Sequence, residues 1–194
     1  MKFNPKYFLA LIFLVGCKEI VDPGQTDKPI DTSVIMPLKV GNSWTYKSLT
    51  IDTLTNDTTS IDVINSIRSE KIIGNEKWFV DNLHGILINR SNGIWSALNE
   101  NDTTFLAKYP AVVGDTFYVH QHNQSIMRVI STDSLIQTDA GTFRCYVYFN
   151  SDSNGQAVQF YAPGIGLVYL DLFAKSAYSN DLYLKLVLAF YTIK

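Results

Sequence analysis

The amino-acid sequence predicts an all-β chain: a single antiparallel β domain, a curved sheet forming an open barrel or a sandwich, made of two pseudo-repeats. Three observations carry this. From Pro37 onward helical periodicity is scarce, and short stretches rich in Val, Ile, Thr, Tyr, Phe and Trp alternate with clusters of Gly, Asn, Asp and Ser. A motif that opens at Pro37 returns in mid-chain. The 194 residues, 46% hydrophobic and 13% aromatic, are enough to bury one core.

Taken in order, the expected strands are Trp44 to Thr53, Ser60 to Ser69, Lys77 to Asn82, Gly85 to Arg90, Ile94 to Leu98 and Thr103 to Lys108, then Thr116 to His122, Ile126 to Ser131, Thr142 to Asn150, Ala157 to Tyr161, Leu167 to Phe173 and Tyr183 to Ile193. Each is a β-branched or aromatic run ended by residues that favour turns. The first begins after Pro37-Leu38-Lys39-Val40-Gly41-Asn42-Ser43-Trp44, which returns 73 positions later as Pro110-Ala111-Val112-Val113-Gly114-Asp115-Thr116-Phe117. Proline stops the preceding ladder, glycine supplies a positive φ, Asn or Asp tolerates the next turn position, and the aromatic starts a strand facing the core. Further on, Val63-Ile64-Asn65-Ser66 parallels Val129-Ile130-Ser131-Thr132. Gly74 and Gly141 likewise precede Lys77-Trp78-Phe79-Val80 and Arg144-Cys145-Tyr146-Val147. Two copies of this length make a pseudo-symmetric domain, not a solenoid.

Alternation assigns faces. In Phe143 to Phe149 it puts Phe143, Cys145, Val147 and Phe149 toward the core and leaves Arg144, Tyr146 and Tyr148 opposite. The last segment, Leu182 to Tyr191, is apolar on both faces apart from Lys185, as expected of a central strand or the wall of a greasy cavity.

The amino end has the layout of a signal peptide. Lys2 and Lys6 precede the apolar run Tyr7 to Val15, too short to span a bilayer, and then the small residue Gly16. Leu14-Val15-Gly16-Cys17 resembles the lipobox of bacterial lipoproteins. That resemblance implies cleavage before Cys17 and acylation of Cys17 by two or three chains, enough for stable anchoring. Residues 18–33 are polar and broken by Pro and Gly, as a tether would be. The expected organisation is a leader over 1–16, lipidated cysteine and tether over 17–33, and the β domain over 34–194. Losing Lys2 and Lys6 leaves 14 basic against 18 acidic residues, a mature charge of −4.

Ala140-Gly141-Thr142-Phe143-Arg144-Cys145-Tyr146-Val147, Tyr161-Ala162-Pro163-Gly164-Ile165-Gly166-Leu167-Val168 and the Pro37 to Tyr46 motif together resemble uncharacterised lipoproteins of Bacteroidota, over about Pro37 to Tyr169. The resemblance implies a place at the outer membrane, on its periplasmic face or at the cell surface, to which Lys18-Glu19 is similar as an export signal. The plan also looks like the open, curved sheets of periplasmic lipoprotein carriers, in which a concave apolar face holds acyl chains.

The chemistry is sparse. No Lys/Arg block is present, so nucleic acid is not an expected partner. His84, His120 and His122 are the only histidines, and no Gly-x-Ser-x-Gly elbow accompanies them. His120 and His122 would share a side of a strand, which makes them weak metal candidates lacking a local third ligand. Cys145 is left without a partner and reads as a buried thiol. Gly164-Ile165-Gly166 leads into a strand rather than a helix and is a turn, not a phosphate loop. The glutamates Glu70, Glu76 and Glu100 lie by turn-like residues and give paired-carboxylate hydrolysis no support. Asp52-Thr53, Asp57-Thr58, Asp102-Thr103 and Asp133-Ser134 resemble O-glycan acceptor motifs of Bacteroidota and equally suit turns. The expectation is therefore a non-enzymatic envelope module without cofactor, anchored in the membrane, binding an apolar or amphipathic ligand or a partner. Trp44, Tyr46, Trp78, Trp95 and Phe117 are the candidates for lining its concave face, or simply for its core. The alternative is a surface interaction module without a pocket, serving protein or glycan capture; a hydrolase assembled from distant loops ranks third.

Overall fold

The computed structural model describes residues 30–52, 55, 57–83, 85–99, 102–119, 125–152, 155–175 and 181–194. Its strands follow the expected order: β1 (Ser43–Asp52), β2 (Thr58–Ile73), β3 (Glu76–Asp81), β4 (Ile86–Arg90), β5 (Gly93–Asn99), β6 (Asp102–Lys108), β7 (Thr116–Tyr118), β8 (Ile126–Thr138), β9 (Gly141–Asp152), β10 (Gly155–Ala162), β11 (Gly166–Ala174) and β12 (Leu182–Thr192). They form one sheet in the order β6-β5-β4-β3-β2-β1-β12-β11-β10-β9-β8-β7. Every pairing is antiparallel. First and last strands pair along the whole of β1, from Ser43↔Thr192 to Asp52↔Leu182. The outer strands β6 and β7 meet where the Phe105 N–H donates to the Val119 carbonyl at 2.9 Å. The sheet is thus a nearly closed barrel, which removes most of the unpaired edge an open sheet would expose.

The repeat survives as hydrogen bonds. Asn42 N–H donates to Lys39 C=O (3.0 Å) as Asp115 N–H does to Val112 C=O (3.1 Å), and Gly41 and Gly114 adopt φ of 91° and 93°. Gly41 N–H donates to Ile67 C=O, and Ile67 N–H returns a bond to Asn42 C=O. Gly114, Val129 and Asp115 do the same. The counterpart of Val129 is therefore Ile67, four residues beyond the Val63 that sequence comparison pairs with it. An alternating aliphatic run can slide in an alignment, whereas a turn's hydrogen bonds fix the register.

Two other differences have local causes. β8 continues past Ser131 to Thr138 because the Asp133-Ser134 turn chemistry is absorbed by register shifts between Val129 and Ser134. There Ser134 Oγ–H donates to Ser131 Oγ at 2.9 Å and Asp133 N–H to the same atom at 3.2 Å. On β9, Phe143, Cys145 and Val147 are buried as alternation requires, but so is Tyr148, while Phe149 is half-buried. Beside these shifts the strand changes the face it turns inward, and Tyr148 packs edge-on against Phe117 and Tyr161. β12 lies between β1 and β11, the central position its two apolar faces imply.

Residues 30–36, upstream of the first turn, form a strap across one end of the barrel. Ile35 and Met36 are buried, Tyr109 O–H donates to Thr32 C=O (2.6 Å), Gly164 N–H to Val34 C=O (2.8 Å) and Asn89 Nδ2–H to Met36 C=O (2.8 Å). The strap fits because the β10–β11 turn is built of glycine. A Cβ on Gly164 (φ +75°) would stand 2.4 Å from Ile30 Cγ2 and 2.6 Å from the Asp31 oxygen, and one on Gly166 (φ +104°) would stand 2.8 Å from Met36 Cγ.

Candidate functional site

Where the strap, the β8–β9 hairpin and the β10–β11 turn converge, they leave a groove of about 510 Å3. Its walls are two aromatic pairs. Tyr109, between β6 and the second turn, meets Tyr146 of β9 edge-on with centroids 5.2 Å apart, and Phe143 of β9 meets Tyr191 of β12 at 6.1 Å. Ile30, Ala162, Pro163 and Ile165 complete the apolar surface; Thr32, Thr132, Thr142 and Arg144 bring polar groups. Arg144 is paired with Asp133 at the exposed rim, so the pair adds no net charge there. Burial, with Tyr146 and Asp31 nearby, raises the Tyr109 phenol above its usual pKa, and Tyr109 stays a neutral donor to the strap. A concave surface shared almost evenly between apolar and polar groups is equipped to bind and orient an amphipathic ligand. Among the described residues no group of three or more His, Cys, Asp or Glu is placed to hold a metal ion.

The expected lining residues lie behind and beside this groove. Trp44 is fully buried, and its indole N–H donates to the Ile165 carbonyl at 2.7 Å, which fixes the groove floor from the core side. Tyr46, also buried, donates through its O–H to Leu167 C=O at 3.0 Å, and burial pushes its phenol up. Trp78, Trp95 and Phe117 lie along one aromatic path: Phe117 shares the core cluster of Trp44 and Tyr46, Trp78 belongs to a smaller cluster with Ile88 and Ala97, and Trp95 packs against both. The Arg90 guanidinium lies 5.4 Å from the Trp78 ring and 5.3 Å from the Trp95 ring, and Glu76 holds it at 3.1 and 2.6 Å. Trp95 stacks on Phe105 at 4.3 Å, Phe105 touches Phe117 at 4.7 Å, and Phe117 touches Tyr148. The buried Trp78 Nε1 has no hydrogen-bond partner among the described residues. Cys145 is buried and free, and burial pushes its thiol up to about 12. Cys17, His84, His120 and His122 lie outside the described residues.

The groove residues Tyr109, Tyr146 and Tyr191 were open to sequence reasoning in part. Tyr146 stands on the face of β9 that alternation keeps out of the core, and Tyr109 precedes the proline that ends β6. Their convergence is tertiary: residues 30–32 reach them from far along the chain.

No protein-family model and no curated protein matches the chain. Among solved structures, the chain is similar to a Bacteroides fragilis protein described as exported and having a YmcC-like fold. The two share 14% identity over 83% of this chain and 100% of the other, with a TM-score of 0.50. At that identity the likeness is one of fold. A structure described as a lipoprotein, from Parabacteroides distasonis, is 16% identical over 82% of this chain and 99% of its own, with a TM-score of 0.45.

Proposed function

We propose that the chain is a lipid-anchored module of the cell envelope that binds an apolar or amphipathic ligand in the strap groove and carries out no catalysis. The observation that carries the reading is the groove itself: about 510 Å3, within the range of small-molecule sites, walled by Tyr109, Tyr146, Phe143 and Tyr191 with a neutral polar rim. Anchoring at Cys17, with a leader over 1–16 and a tether beyond it, is supported by the Leu14 to Cys17 motif. A place in the envelope is further supported by the exported description of the Bacteroides fragilis protein of the same fold. The outer membrane is the membrane we favour.

Native mass spectrometry with lipid extraction, on residues Lys18 to Lys194 made in the periplasm, tests the reading. Co-purified lipid near one-to-one is the expected result. A clean apo mass that added lipids leave unchanged would overturn it in favour of the second reading, a surface interaction module. That second reading has its own observation: Ile64 and Phe190, 58% and 48% exposed, flank Thr45 on the same face of β2, β1 and β12.

A further inference from the structure

The two symmetry-related turns, residues 37–42 and 110–115, present apolar side chains to solvent: Val40 is 42% exposed, Val112 66% and Val113 63%. β1 and β7 stand six antiparallel steps apart in the sheet, so they run the same way and both turns lie at one end of the barrel. The strap crosses that end, from Thr32, bonded to Tyr109 beside the second turn, to Pro37, which opens the first. The chain upstream of Ile30 joins the domain at this end.

Charge divides the same way. Exposed Lys39 and Lys194 stand at the turn end, where Asp115 is offset by Lys108 at 2.9 Å and Asp31, which accepts from the Ser33 N–H, is an exposed anion at the same end as these two cations. The opposite end gathers Asp52, Asp57 and Asp181 around a hollow of about 400 Å3, and exposed Lys175, just past β11, is a cation at that end. We infer that the turn end is a membrane-docking face, on which Val40, Val112 and Val113 enter the headgroup region of a lipid bilayer with Lys39 and Lys194 toward anionic lipid. This rests on the anchored reading above. A span from Cys17 to Ile30 reaches at most about 45 Å, so the anchor permits contact without imposing it, and the valines select the orientation. Docked this way, the barrel turns its strapped end, and the mouth of the groove beside Ile30, toward the membrane.

The test uses the full chain, purified with its lipid anchor and reconstituted in phosphatidylcholine–phosphatidylglycerol vesicles that contain brominated phosphatidylcholine. One variant carries Val113→Trp and another Thr59→Trp, an exposed site at the far end. The expected result is loss of the added emission at position 113 and none at 59. A chain that floats with the vesicles but keeps its emission at 113, or loses it equally at 59, overturns the docking face alone. A chain that fails to float overturns the anchored reading and the docking face with it.

Discussion

The barrel closes at two seams that the internal repeat makes equivalent, and it closes them differently. At β12–β1 the backbone does the work: the ladder runs the length of β1, and the Trp44 and Tyr46 side chains reach on to carbonyls at Ile165 and Leu167. At β6–β7 the described backbone contact is the bond from Phe105 to Val119, and the joint is filled by rings: Trp95 on Phe105, Phe105 on Phe117, Phe117 on Tyr148. A ladder stays paired when one side chain is cut, even where the whole domain loses stability, whereas a joint of side chains opens when one of them is lost. One half of a repeat can thus keep the turn chemistry of the other and still be held by a different force.

The largest expected effect falls on the ladder seam's own core residue. Trp44→Ala removes a fully buried indole and leaves the Ile165 carbonyl without its donor, at a cost of about 4 kcal/mol. Chemical denaturation would measure it, and a loss below about 1 kcal/mol would contradict the assignment of Trp44 to the core. Next is the ring seam. Phe117→Ala should cost about 3 kcal/mol and, in hydrogen exchange, should release the Phe105 amide while β1 and β12 amides keep their protection. Equal loss of protection at both seams would erase the distinction drawn between them.

A smaller effect is expected at the strap. Gly164→Ala puts a Cβ on a left-handed backbone and into Ile30 and Asp31, for about 2 kcal/mol. Proteolysis of residues 30–36 should accelerate in this variant while the barrel persists. The smallest effect at neutral pH is ionisation. The Cys145 thiol, ordinarily 9.0, is pushed up by burial, and burial raises the phenols of Tyr46, Tyr148 and Tyr161 as well. A raised pKa in the folded state favours the protonated form, so its contribution is complete below the unfolded pKa and is lost as pH climbs toward the folded one. Stability should be level from pH 6 to about 9 and decline above it. A decline that begins below pH 8 would point to other groups.

How much of this the sequence carried follows from what each force leaves in it. Turn glycines and alternating faces are local, so Gly41, Gly114 and Gly141 mark strand starts and the twelve strands are legible in order. Register shifts are not local: the Ser131–Ser134 irregularity reads as a turn, and Tyr148 moves to the core because of it. The tryptophans that draw attention in sequence are placed by size inside the barrel or against Arg90. The groove is instead lined by tyrosines, whose polar tips suit a half-wet wall. The first part of the strap that completes it, residues 30–33, comes from the stretch whose polar, Pro-containing composition reads as a tether.

The most direct test of the groove is a titration of a fluorescent lysophospholipid below its micelle concentration, on the wild-type domain and on Thr142→Trp. Thr142 is an exposed groove residue, so the larger ring fills the site without entering the core. Saturable one-to-one binding by the wild type, lost in Thr142→Trp with unfolding unchanged, is the predicted result. No binding by the wild type, or identical isotherms for the two proteins, would show that the strap groove is not a ligand site.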